Sequence, residues 1–232
     1  MPGARLRAVT GAGLEHLLPA LRARWAAVIG TGAAADEAFD ALVARHAEPH
    51  RRYHTARHVS HVLRAVERLA EPAGLDASRA RVVRLAAWYH DAIYDPRAAA
   101  GTNERASAAL ACRSLTGLGE ADAVVVEVER LVMLTAGHEP TVDDRVGQVL
   151  VDADLDVLAA QPAVYDAYRR GVRAEYAHVD DDGWRAGRAA FLRGMIERPR
   201  LYMLTVEPER EPRARANLAA ELADLGGSVG GP

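Results

Sequence analysis

The chain has 232 residues, 50% hydrophobic and 26% charged, with a net charge of −3, values that fit one ordinary globular domain with no basic field to draw in nucleic acid. Every basic residue is Arg; the chain has no Lys, which excludes a Schiff-base lysine and a Walker-type phosphate lysine. The single cysteine, Cys112, excludes an internal disulfide and a cysteine zinc cage, and its helical apolar setting marks it as a core residue.

The Met1–Gly13 segment carries no signal-peptide pattern, and no apolar run is long enough to span a bilayer, so a cytoplasmic location is expected. Leu14, Leu17, Leu18, Leu21, Trp25 and Val28 recur at helical spacing and predict a first helix. Asp36 reads as the cap of a second, with Phe39, Leu42, Val43 and His46 on one face. A third is expected from Tyr53 or Thr55 to about Leu69, with Val59, Val62, Leu63 and Val66 inward. Ser78 is the expected cap of a fourth, ending near Tyr94-Asp95-Pro96, and Asn103 of a fifth, ending at Gly117 or Gly119. Further helices are expected around Val124–Thr135, Val146–Leu158, Tyr165–Tyr176, Trp184–Met195 and Ala214–Leu225. No alternating strand pattern, internal repeat or linker is apparent. The expectation is an all-α fold, a single helical bundle over 1–232 with its core at about 36–225 and flexible ends at 1–12 and 226–232.

The nine histidines are unevenly placed. His46, His50, His54, His58 and His61 crowd one region, His90 is followed directly by Asp91, and Asp152, Asp154 and Asp156 share a later helix. Imidazoles and carboxylates together suit hard or borderline metal ions. At roughly 100° per residue, His58 lies at the rim of its helix's apolar arc. His54 stands one turn earlier on a neighbouring face, and His61 lies toward the polar side. The same projection puts Asp154 inside the buried face of Val146, Val149, Leu150, Ala153 and Val157, while Asp152 and Asp156 point largely away and Asp152 reads as a solvated surface residue. A buried carboxylate is costly unless it is paired or metal-bound, so Asp154 calls for a cation. His46 and His50 read as ordinary loop or helix-end residues.

Tyr53-His54-Thr55-Ala56-Arg57-His58, then Trp88-Tyr89-His90-Asp91-Ala92-Ile93-Tyr94, then Asp152-Ala153-Asp154-Leu155 resembles the ordered motif set of the HD superfamily of metal-dependent phosphohydrolases, in particular the small bacterial HD hydrolases. Similarity continues through Asn103–Ala108, Arg173–Tyr176 and Ala214–Leu218. The resemblance implies an HD-type helical bundle with His58, His90, Asp91 and Asp154 as metal ligands. The first motif is also similar to that of cyclic-nucleotide phosphodiesterases, which implies His54 as general acid. Glu104 either caps its own helix or, as the resemblance suggests, lies near the metal; with His54 and Asp91 it makes up the expected catalytic set. Arg57 and the Arg51-Arg52 pair are candidate phosphate contacts. His138 is either a helix-end residue or lines the mouth of the site, where it would touch substrate.

The implied cofactor is one divalent transition metal: Mn²⁺, Fe²⁺, Co²⁺, Ni²⁺ or Zn²⁺, with Mg²⁺ a poorer match. The implied activity is hydrolysis of a phosphate ester, of a nucleotide or small phosphorylated metabolite, by metal-activated water. A membrane or nucleic-acid partner is not expected. Two other readings stay open: a di-iron HD-type oxygenase, which would need two further histidines between the doublet and the last Asp where only His138 stands, and a non-catalytic ligand-binding helical protein.

Overall fold

The computed structural model describes residues 16–227. Expectations about Leu14, the segment 1–12 and residues 228–232 lie outside the described residues. Within them the chain is all-helical, with no strand. In order come α1 (Leu18–Ile29), α2 (Ala33–Arg45), α3 (Ala56–Ala70), α4 (Ala77–Tyr89), α5 (Thr102–Gly117), α6 (Asp122–Leu134) and α7 (Arg145–Asp154). A 3-10 turn (Leu155–Ala159) leads to α8 (Pro162–Glu175), α9 (Asp181–Glu197) and α10 (Arg210–Gly227). None of these helices is long and apolar enough to cross a membrane.

Two apolar clusters organise the packing. The first gathers α1 to α6 with one side of α7, around Trp25, Phe39, Leu63, Trp88 and Leu131. The Trp25 and Trp88 rings meet edge to face at 5.4 Å, the arrangement that aromatic quadrupoles favour. The second cluster joins the other side of α7 and the 3-10 turn to α8, α9 and α10 through Val151, Tyr165, Tyr168, Leu192 and Tyr202. α3 packs on both α4 and α7, so the three segments bearing the histidine and aspartate motifs are direct neighbours.

The helix positions follow the sequence pattern, but several boundaries do not. Asp36 lies inside α2, whose N-cap is Gly32, and its carboxylate pairs with Arg22. Asp76, not Ser78, caps α4, accepting the Arg79 N–H at 2.8 Å, and α4 ends at Tyr89, before the expected Tyr94. Gly101, not Asn103, is the N-cap of α5. The Asn103 side chain instead brackets the Asp95 backbone with two 3.0 Å bonds, accepting its N–H and donating to its carbonyl. The helix expected through Leu158 stops at Asp154 and tightens into the 3-10 turn. α10 continues to Gly227, beyond Leu225.

The reading of Asp152 as a solvated surface residue is overturned. Its side chain is fully buried and accepts the Met203 and Leu204 N–H groups at 2.9 and 2.8 Å. Asp156 is bound by Arg68 and Arg210, each at 2.7 Å. The projection assumed one buried face, whereas α7 lies between two cores and has two.

His46 likewise differs from its reading as an ordinary helix end. It is buried, both ring nitrogens lack a hydrogen-bond partner, and burial, followed by the nearby Arg51 charge, holds its pKa down to about 3. The folded state therefore refuses a proton that the unfolded chain takes up near pH 6.5. Stability is fully present above that pH and is lost as pH falls toward about 3. In urea titrations, His46→Leu should gain on the parent by about 3 kcal/mol between pH 7 and pH 4. A gap that stays constant with pH would contradict a buried neutral imidazole.

Candidate functional site

The loop before α3 is shaped from the far side of the molecule. Glu175, at the end of α8, has a fully buried carboxylate. Its Oε1 accepts three successive backbone N–H groups, those of Arg52, Tyr53 and His54, at 2.7, 2.8 and 2.9 Å. Consecutive amides of this kind form a natural anion nest. The other oxygen, Oε2, lies 2.7 Å from His54 Nδ1 and accepts the Tyr94 hydroxyl at 3.1 Å. Burial pushes the Glu175 pKa up, but the His54 and backbone hydrogen bonds outweigh it and hold the group at about 2. One turn earlier Gly171 makes the approach feasible: an added Cβ would sit 3.1 Å from Tyr53 Cβ. Tyr168, on the same face of α8, packs its ring on that of Tyr53 at 4.8 Å.

Thr55 then caps α3, its hydroxyl accepting the Arg57 N–H at 3.3 Å. This starts the helix at Ala56 and places His58 in its first turn. Arg51, expected as a phosphate contact, is buried instead and donates to the carbonyls of His54, Asp91 and Ala92 at 2.9, 2.8 and 3.1 Å. It clips the His54 loop to the His90-Asp91 segment. Five donors in a fixed fork make Arg suited to this task in a way Lys is not.

Four side chains converge where these segments meet the end of α7. His58 Nε2 lies 3.0 Å from His90 Nε2, 3.4 Å from Asp91 Oδ2 and 3.2 Å from Asp154 Oδ1. His90 Nε2 lies 3.1 Å from Asp91 Oδ2 and 3.4 Å from Asp154 Oδ1. His90 Nδ1 is 2.9 Å from the Ala87 carbonyl. That bond assigns Nδ1 the proton and turns Nε2 toward the cluster, as a ligating imidazole requires.

The carboxylates set the charge. Burial lowers the pKa of His90, yet Asp91 and Asp154 reverse this and hold it well above the usual imidazole value. Both aspartates are held well below the ordinary carboxylate range: burial opposes this, and His90 is the strongest cause in its favour.

The donor separations suit a metal ion. Bonds of about 2.1 Å separate adjacent ligand atoms by roughly 3.0–3.4 Å, and the five separations above span the same interval. His58, His90 and Asp154 each offer one atom within 4.8 Å of the others, so this group could hold a metal ion. Asp91 Oδ2 adjoins the two histidines, at 3.4 and 3.1 Å, without being one of that group.

The remaining expected site residues are placed as follows. His54 Nε2 lies 4.0 Å from Asp91 Oδ2, at the edge of the cluster. His138 reaches Asp154 from the opposite side, with Nε2 2.9 Å from Oδ2. It adopts a left-handed φ of 53°, uncommon for a residue with a Cβ. Arg198 holds that turn by donating to the His138 and Gly137 carbonyls at 3.0 and 2.8 Å. Glu104 lines the adjoining cavity, and its Oε2 is buried without a hydrogen-bond partner. Arg57 is exposed and does not line that cavity.

The cavity measures about 930 Å³ and runs from His54, His58, Asp91 and Asp154 to the walls formed by α8 and α9. Glu175 is the residue that the motif pattern alone did not single out. Its signal was the Arg173–Tyr176 stretch, which marked the region without a role.

The chain matches no family model, no curated protein and no solved structure.

Proposed function

We propose that this protein is a metal-dependent hydrolase of phosphate esters, of the HD type that its motifs resemble. The observation that carries the reading is the convergence of His58, His90, Asp91 and Asp154 from three segments at 3.0–3.4 Å. These four residues would hold the ion, with Mn²⁺, Fe²⁺, Co²⁺, Ni²⁺ or Zn²⁺ matching two imidazoles and two carboxylates better than Mg²⁺. A bound ion of this kind supplies Lewis acidity and an acidified water.

The protein's own groups account for proton handling and positioning. Glu175 fixes His54 through Nδ1 and leaves Nε2 as the end that can hold and deliver a proton to a departing oxygen. The unpartnered Glu104 oxygen is a proton acceptor facing the cavity. His138 steadies the outer oxygen of Asp154, which keeps the inner one directed at the histidines.

Metal analysis of the purified protein, followed by a panel of phosphate esters with added Mn²⁺, Co²⁺, Ni²⁺ or Mg²⁺, tests the reading. The expected result is a tightly held ion and ester hydrolysis that a chelator removes. Absence of any bound ion, together with no hydrolysis under every metal, would overturn it.

A further inference from the structure

We propose that the cavity beside the candidate metal site receives an uncharged apolar ring, and that the preferred ester is the phosphate monoester of an aryl or similar cyclic alcohol. The assignment of the phosphate end rests on the phosphohydrolase reading above. The assignment of the ring to the cavity stands on the cavity itself.

α9 carries two adjacent stripes that both line the cavity. Trp184, Phe191 and Met195 form the large one. Gly183, Gly187, Ala190 and Gly194 form the small one, at the i, i+4, i+7, i+11 spacing of one helix face. A Cβ added at Gly187 or Gly194 meets nothing within 4 Å. The helix thus forgoes side chains where there is room for them, and the space is left to the cavity. Glycine in a helix interior costs stability relative to alanine, so packing does not explain Gly187 or Gly194, whereas a Cβ at Gly183 would lie 3.1 Å from Asp180 and Val179.

Several polar groups of the wall are already engaged. Arg188 is bonded to Glu221 and to the Tyr168 hydroxyl. Arg198 donates from both Nη atoms to the His138 and Gly137 carbonyls. The Thr135 hydroxyl donates to the Val132 carbonyl. The carboxylates of Glu104 and Glu139 also line the cavity, and their charge disfavours a further phosphate there. The remaining far surface, including Leu158, Val172, Tyr176 and Trp184, offers aliphatic contacts and ring faces. A flat apolar ring is the chemistry such walls recognise.

In the reaction, water forms the new bond to phosphorus and the bond from phosphorus to the ring's oxygen breaks. The ring departs as its alcohol, taking the proton held at His54 Nε2.

Calorimetric titration of the full chain, with and without Mn²⁺, against 1-naphthylphosphonate, methylphosphonate and AMP tests the assignment without requiring turnover. The naphthyl compound should bind at least tenfold more tightly than the other two. Gly187→Leu, which fills the small stripe without backbone strain, should erase most of that difference; metal content and thermal melting report whether its site and fold persist. Equal affinity for naphthyl- and methylphosphonate overturns the proposal, as does a Gly187→Leu variant that retains the parent's preference. Tighter binding of AMP overturns it in favour of a nucleotide. If the naphthyl compound binds as expected but no ester is hydrolysed, the phosphohydrolase reading fails while the apolar cavity stands. If esters are hydrolysed without regard to the ring, the reverse holds.

Discussion

His90→Gln should strip the protein of bound metal and of ester hydrolysis together. The side chain sits at the centre of the cluster, with His58, Asp91 and Asp154 all within 3.4 Å of its Nε2. Removing a group that merely orients a ligand lowers metal affinity by about 10–100-fold, so loss of the ligand itself should exceed that. The substitution also removes the imidazole charge that holds the pKa of both Asp91 and Asp154 down. Such a site should disfavour keeping both ionised. Metal content by elemental analysis and hydrolysis by phosphate release give separate readouts. Full hydrolysis in a variant devoid of metal would sink the assignment of His90.

Glu175→Gln should lower kcat by about a hundredfold or more, within the range that a positioned general acid supplies, while leaving bound metal nearly unchanged. The amide keeps an oxygen for the three backbone N–H groups but places an N–H donor, or forces a flip, where Oε2 now faces His54 Nδ1. His54 then loses the carboxylate acceptor that now fixes its ring through Nδ1. Glu175→Ala is expected to do something different. It leaves the nest amides unsatisfied at about 1–3 kcal/mol each and should mainly destabilise the fold. A Glu175→Gln variant with the parent's kcat would show that the carboxylate is only structural.

The fold class was legible because helical periodicity is strong across the chain: the Val59, Val62, Leu63, Val66 arc of α3 is buried as the spacing requires. The centre of the site was legible for the same reason. His58 and Asp154 project from helix faces that can be computed, and His90-Asp91 follows a helix whose last turn, Leu85 to Tyr89, is buried throughout. What escaped the sequence depends on partners distant along the chain. Asp36 and Asn103 have capping chemistry, but Arg22 and the Asp95 backbone claim them. Glu175 owes its place to amides more than 120 residues away. Arg51 looked like a phosphate contact until three carbonyls, two of them from the segment following α4, enclosed it.

α7 has a further consequence. Asp152 and Asp154 are two positions apart, about 200° around a helix, and each belongs to a different side of the molecule. One fastens the Met203-Leu204 segment; the other completes the histidine cluster. The helix therefore works as a shared axle: it cannot rotate or slip to adjust one carboxylate without dislodging the other. Opening of the C-terminal half and release of whatever occupies the histidine cluster are thermodynamically linked events, and occupancy on one side protects the other.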